Sequence, residues 1–177
     1  MVLLDRDGTL NVRRTSHVHD VHDLELLPGV GEAVALAAAL GRVVLVTNQQ
    51  SVGRGDITSE GLDAVNAALV RQLSLTPGAR VDAIYVCPHL AGTCDCRKPG
   101  TGLFLQALRE APDVLPAHCA VIGDQPSDVE PGLALGMLAF HVVHEAESAV
   151  ATPAGAFRVG SALEAMTMLA GLPGWAS

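Results

Sequence analysis

Two carboxylates, Asp5 and Asp7, follow the first apolar run of the chain, Val2-Leu3-Leu4. In extended backbone an i, i+2 spacing points both side chains the same way, and two close carboxylates require a shared proton or a cation. A third carboxylate, Asp124, follows the apolar run Ala120–Ile122 and would complete an all-oxygen site. Such a site suits Mg2+, a hard ion that keeps waters and accepts substrate phosphate. Taken alone, Asp5-Arg6-Asp7-Gly8-Thr9 reads equally as a turn, where Asp and Gly are common. Thr47, Lys98 and Asp124, each placed after a different apolar run, favour a site. Lys98 is the single lysine beside ten arginines. A compact ammonium is the point charge that a phosphate dianion needs next to a nucleophile, whereas the plain alternative is a solvated loop lysine. Arg97 beside it either forks onto a second phosphate or a substrate carboxylate, or forms a rim ion pair.

Three of the four cysteines lie in one segment, Cys87-x-His89-x4-Cys94-x-Cys96. Each i, i+2 pair presents two ligands to one side, and the intervening loop folds one pair onto the other. Three thiolates and an imidazole in a closed tetrahedron fit a structural Zn2+ better than reduced thiols beside a loop histidine. Cys96 is followed directly by Arg97 and Lys98, so this zinc would pin the loop that aims the lysine. Cys119 stands apart and reads as a small buried hydrophobe. His17, His19 and His22 fall in the stretch Arg13–Asp23, which reads as a substrate-facing or solvated loop in preference to a second metal site.

The elements that must position these groups alternate between short apolar runs and helical patterns. Strands are predicted at Val2–Leu4, Val43–Val46, Ala83–Val86, Ala120–Ile122, Leu138–Val143 and, more weakly patterned, Phe157–Val159. Helices are predicted from Pro28-Gly29 to Gly41, after Thr58 or Ser59 through Leu73, from Thr101 to before Pro112, from near Asp128 to Gly136, and from Ser161 to Gly171. Gln50–Asp56 is expected to be a loop. This alternation is that of an α/β, doubly wound, mainly parallel sheet, expected as one domain over residues 1–177 without an inserted cap. In such sheets ligands sit outside the carboxyl ends of the strands, which is where the chemically able residues fall.

Composition limits the partners. The 177 residues carry 19 acidic against 11 basic side chains, a net charge of −8, and 3% aromatic residues. A duplex binder needs a basic face and a single-strand binder needs stacking platforms, so no nucleic-acid partner is expected. No apolar run reaches the roughly 18 residues of a membrane helix, and the opening residues lack the basic and apolar regions of a signal peptide. A cytoplasmic monomer without a membrane partner is expected.

The segments Asp5-Arg6-Asp7-Gly8-Thr9-Leu10-Asn11, Val46-Thr47-Asn48-Gln49, Cys87-Pro88-His89 with Cys94-Asp95-Cys96-Arg97-Lys98-Pro99, and Val121-Ile122-Gly123-Asp124 together resemble the motifs of the haloacid-dehalogenase superfamily. Within it they resemble the capless branch that holds histidinol-phosphate and D-glycero-D-manno-heptose-1,7-bisphosphate phosphatases. The resemblance implies a Rossmann-like core and a Mg2+-dependent phosphomonoesterase acting on a small phosphorylated substrate. Asp5 would be the nucleophile that forms an aspartyl-phosphate, and Asp7 the acid and then base, protonated beside an ionised Asp5. Thr47 and Lys98 would hold the phosphoryl oxygens. Mg2+ would be held by Asp5, the Asp7 carbonyl and Asp124, with Gln125 or Asp128 contributing. Asn48, Gln49 and Arg97 would meet substrate. Asn11 and the run Gln49 to Gly55 are more similar to the heptose-bisphosphate enzymes, which implies removal of a 7-phosphate, with histidinol phosphate as the alternative substrate. Arg13-Arg14-Thr15-Ser16 replaces an Asp-His-Gly-Tyr-like stretch that commonly touches substrate, and its extra arginines read as favouring a more anionic substrate or as surface charge. Other readings are a receiver-like module, disfavoured by strand order, a zinc-stabilised binding protein without turnover, and a polynucleotide 3′-phosphatase, disfavoured by charge.

Overall fold

A strand covered on both faces shows no polar alternation, and Val2-Leu3-Leu4 shows none. This strand, β1 (Val2–Leu4), is wholly buried at the middle of the sheet in the computed structural model, which describes residues 1–145 and 149–175. Around it lie β2 (Val43–Asn48), β3 (Ala83–Cys87), β4 (Ala120–Gly123), β5 (Leu138–Val142) and β6 (Phe157–Val159). Among the described residues they form one six-stranded sheet in the order β3-β2-β1-β4-β5-β6, and every pairing is parallel. The chain order reverses direction at β1, whose neighbours β2 and β4 lead to opposite edges. A crevice therefore opens at the carboxyl ends of β1 and β4.

Parallel strands need crossovers, supplied by α1 (Val30–Leu40), α2 (Gln50–Arg54), α3 (Ser59–Leu73), α4 (Gly102–Arg109), α5 (Pro126–Ala134) and α6 (Ala162–Ala170). Side-chain alternation along the strands divides the core in two. Val2, Leu4, Leu45 and Ile122 pack with α1, α3 and α6, while Leu3, Val44, Val121 and Ala139 pack with α4 and α5. Thr58 caps α3 by accepting from the Gly61 amide at 3.0 Å, and Ser161 caps α6 by accepting from Glu164 at 3.1 Å.

The predicted strands and the five longer helices are all present, with shifts at their ends. Strands β2, β3 and β4 run one or two residues further than their apolar runs, into the residues of the site. Helix α5 begins at Pro126, because proline suits the first helical turn, and this places Asp128 within that turn. The predicted loop Gln50–Asp56 instead contains α2, five residues with one glycine inside, Gly55 at its end and no side-chain cap. Docking explains it: the Gly53 amide donates to Pro88 O at 3.0 Å, and a Cβ on Gly53 would lie 2.5 Å from that oxygen. Tertiary contact overrides local propensity there. Among the described residues no helix is long and apolar enough to cross a membrane.

Phe104, on α4, is fully enclosed against Leu3, Val44 and Val121. Phe104→Ala is expected to cost about 3–5 kcal/mol in urea unfolding, whereas Leu75→Ser at an exposed site should change stability by less than about 0.5 kcal/mol.

Candidate active site

The four strand ends deliver their polar residues to one cleft of about 360 Å3. Asp5 follows β1 and donates its amide to Ile122 O of β4 at 2.9 Å, which ties the two carboxyl ends together. The chain then turns around the Arg6 carbonyl, which accepts from Leu10 N at 2.9 Å and Asn11 N at 3.1 Å. Gly8 is required in this turn. Its φ is +89°, and a Cβ would lie 2.0 Å from Asp124 Oδ2. Asp5, Asp124 and Asp128 meet beneath it, each with one oxygen within 4.8 Å of the others.

Lys98 joins this group. Its Nζ donates to Asp5 Oδ1 at 2.6 Å, to Val46 O at 2.7 Å and to Asp128 Oδ1 at 2.8 Å, so three donors meet three acceptors. The residue is 2% exposed. Its backbone is clamped by Asn48, which accepts from Lys98 N and donates to Lys98 O, both at 3.1 Å.

The charges are strongly coupled. Burial pushes Asp5 up to about 8, with Asp128 adding to the rise and Lys98 opposing it. Burial likewise pushes Asp124 up to about 7 against the nearby Arg13 guanidinium. Burial disfavours the Lys98 charge, but the carboxylates of Asp128 and Asp5 outweigh it and raise its pKa. Burial also disfavours ionised Asp7, yet the Arg6 guanidinium and hydrogen bonds from Asn11, Arg6 and Gln49 hold it below the ordinary carboxylate range. Without a cation the donors around Asp7 favour its ionised form, while burial opposes ionisation of Asp5.

The residues fit a divalent cation. Asp124 Oδ1 is buried without a hydrogen-bond partner among the described residues, and a hard cation beside Asp5 and Asp124 would lower both pKa values. Gln125 stands alongside, its amide donating to Asp124 O at 3.0 Å, while its own backbone N–H donates to Asp128 Oδ2 at 2.8 Å. The second cluster is equally compact. Sulfur–sulfur separations among Cys87, Cys94 and Cys96 are 3.3–3.5 Å, and His89 Nδ1 lies 3.2 Å from Cys96 Sγ. A tetrahedron with metal–sulfur bonds of about 2.3 Å has edges of about 3.7 Å, so the four groups fit around a single ion. All are free of disulfides. Burial and the neighbouring thiols push Cys96 up to about 12, a penalty that a coordinated cation removes. Cys119 is buried in the core, as expected.

The other predicted residues divide by depth. Thr47, 1% exposed, lines the cleft. Gln49, expected to meet substrate, lies behind it and donates to Thr47 Oγ1 at 2.9 Å and to Asp7 Oδ2 at 2.7 Å. Asn48 reaches the cleft, but its amide is engaged by Lys98. Arg13, Arg14 and Arg97 form the rim: Arg13 pairs with Asp124, Arg14 with Glu25 at 2.8 Å, and Arg97 Nη1 has no partner among the described residues. His17 lines the cleft with φ +64°, whereas His19 and His22 do not line it. Sequence reasoning passed over Arg6, which is fully buried on Asp7, and Asn66, which holds it. An arginine set between two aspartates was the available signal.

The doubly wound sheet with these residues at its carboxyl ends defines a hydrolase of the haloacid-dehalogenase superfamily. A family profile described as HAD-hydrolase-like matches residues 95–162. The chain is 35% identical to a D-glycero-beta-D-manno-heptose-1,7-bisphosphate 7-phosphatase of Haemophilus ducreyi, over 72% of this chain and 74% of that one. It is 39% identical to the D-glycero-alpha-D-manno-heptose-1,7-bisphosphate 7-phosphatase of Mycobacterium bovis, over 73% and 69%. The crystal structure of D,D-heptose 1,7-bisphosphate phosphatase from B. bronchiseptica, complexed with magnesium and phosphate, superposes with a TM-score of 0.86 at 30% identity, covering 95% of this chain and 96% of that one. The chain belongs to the heptose-1,7-bisphosphate 7-phosphatase family and is a phosphoric monoester hydrolase.

The raised carboxylates set a pH dependence. Asp5 at about 8 and Asp124 at about 7 bind more protons folded than unfolded, where carboxylates titrate near about 3.9. In chelator, the contribution of these two groups to stability should therefore be greatest at or below pH 4 and fall as the pH rises towards 8. Asp124→Asn should flatten that fall and raise the melting temperature at pH 8, as read by scanning fluorimetry.

Proposed function

We propose that the protein removes the 7-phosphate of D-glycero-D-manno-heptose 1,7-bisphosphate by transfer through Asp5. The observation that carries this reading is the contact of buried Lys98 with Asp5, which lines with Thr47 a cleft rimmed by arginines, in a chain of this family. An Asp5 oxygen attacks phosphorus, the bond from phosphorus to the sugar oxygen breaks, and Asp7 supplies the proton that the leaving alkoxide needs. Water then attacks the aspartyl-phosphate, giving its proton to Asp7 and returning Asp5 to a carboxylate. Thr47 and Lys98 are preorganised donors for the non-bridging oxygens, Lys98 exchanging part of its present bonding for them. Asp5, the Asp7 carbonyl and Asp124, with Gln125 or Asp128 beside them, would hold Mg2+, which would supply charge neutralisation and orientation of the phosphoryl group. Cys87, His89, Cys94 and Cys96 would hold Zn2+, which would pin the loop that carries Lys98. Arg97, Arg13 and Arg14 meet the second phosphate, and the reading implies a cytoplasmic, single-domain monomer.

A phosphate-release panel tests the substrate. Both heptose 1,7-bisphosphate anomers should be hydrolysed at least about tenfold more efficiently than histidinol phosphate, and the reverse preference would reassign the substrate. Asp5→Asn should lose roughly a thousandfold or more in kcat. Zinc-stripped protein, checked by metal analysis and resupplied with Mg2+, should be a weak enzyme; full activity would refute the coupling between that loop and Lys98.

A further inference from the structure

The proposed chemistry leaves one deeply buried charge without a task. Arg6 is 0% exposed and is the largest fully enclosed side chain among the described residues. Its Nε donates to Asp7 Oδ1 at 3.2 Å, and its Nη2 donates to Oδ1 at 3.1 Å and to Oδ2 at 2.9 Å. The remaining arm, Nη1, donates to Asn66 Oδ1 at 3.0 Å. Asn66 lies on α3 and is 5% exposed, and α3 contributes no described residue to the cleft lining. A guanidinium is planar, so a fork on both carboxylate oxygens fixes the plane of the acceptor as a single ammonium contact cannot. Burying an ion pair stabilises a fold little compared with packing apolar side chains in the same volume, so stability does not account for this one.

The polarity of the contacts narrows the task. Asn11 Nδ2 at 2.9 Å and Gln49 Nε2 at 2.7 Å complete the shell around Asp7, and every protein group in it is a donor. A shell of donors alone fixes both carboxylate oxygens in place, and the side chain keeps 24% exposure where it lines the cleft.

We propose that Arg6, braced by Asn66 of α3, is the positioning residue that orients Asp7 for the second half-reaction. In that step water oxygen bonds to phosphorus, its proton passes to Asp7, and the bond from phosphorus to the Asp5 oxygen breaks with its electron pair returning to Asp5. The inference rests on the reading of Asp7 as the acid and base.

p-Nitrophenyl phosphate separates the two steps, because nitrophenolate leaves without a proton while the water step still needs one. Asn66→Leu removes the brace, and Asn66→Asp retains an acceptor. Asn66→Leu should keep a nitrophenolate burst near one per site, with a burst rate within about threefold of wild type, while steady-state turnover falls at least about tenfold. Asn66→Asp should restore turnover to within about threefold. If Asn66→Leu does not fold, Arg6→Lys, which keeps the charge but loses the fork, should show the same separation. Unchanged turnover, or burst and turnover falling together, would overturn the proposal. Asp7→Asn serves as the control: if it shows no stalled burst, the acid-base reading fails, whereas a stalled burst there with none in the Asn66 and Arg6 variants defeats this inference alone.

Discussion

An ammonium buried beyond the reach of water must find three acceptors, and Lys98 finds them on three separate elements. Asp5 comes from the end of β1, the Val46 carbonyl from β2, and Asp128 from the first turn of α5. Removing one partner from such a buried pair costs about 3–5 kcal/mol, so the elements are held to a common geometry at the point where their chemistry meets. The lysine backbone is fixed as tightly, by Asn48 on one side and by the cysteine and histidine loop immediately before it. A side chain that could sweep a wide volume is thereby reduced to one position.

The carboxylate cluster depends on the same closeness. Asp124 approaches Gly8, and Asp128 approaches Gly123, where an added Cβ would meet the Asp128 Cβ at 2.2 Å. Two missing side chains thus permit three carboxylates to share a space in which burial raises Asp5 and Asp124. Asp7, two residues from Asp5, is held in the opposite sense by its fork of donors. Adjacent positions in one motif obtain different acidities from different surroundings.

Most of the frame was legible because its signals are local. The apolar runs, the capping Thr58 and Ser161, and the aspartates, lysine and cysteines at strand ends all announce themselves in short windows. What remained hidden depends on long-range contact. Helix α2 exists because Gly53 docks on Pro88, which no propensity encodes. Asp128 reads as a helix start until Lys98, thirty residues away, is found against it. Arg6 and Asn66 are sixty residues apart, and only the packing of α3 on the sheet joins them. The resemblance sets Gln49 at the substrate, yet its amide is turned inward to Asp7 and Thr47.

Between β1 and β2 the chain supplies a loop with one 3-10 turn (Val21–Asp23) and then α1, and Arg13, Arg14, Thr15 and His17 of that loop line the rim of the cleft. Floor and rim therefore answer to different constraints. A change on the floor disturbs buried charges that fold and reaction share, whereas Arg13, Arg14 and Arg97 stand outside both halves of the core. Substitutions at Arg14 or Arg97 can therefore change what the cleft accepts while the floor is held still, whereas Arg13, paired with Asp124, links the two.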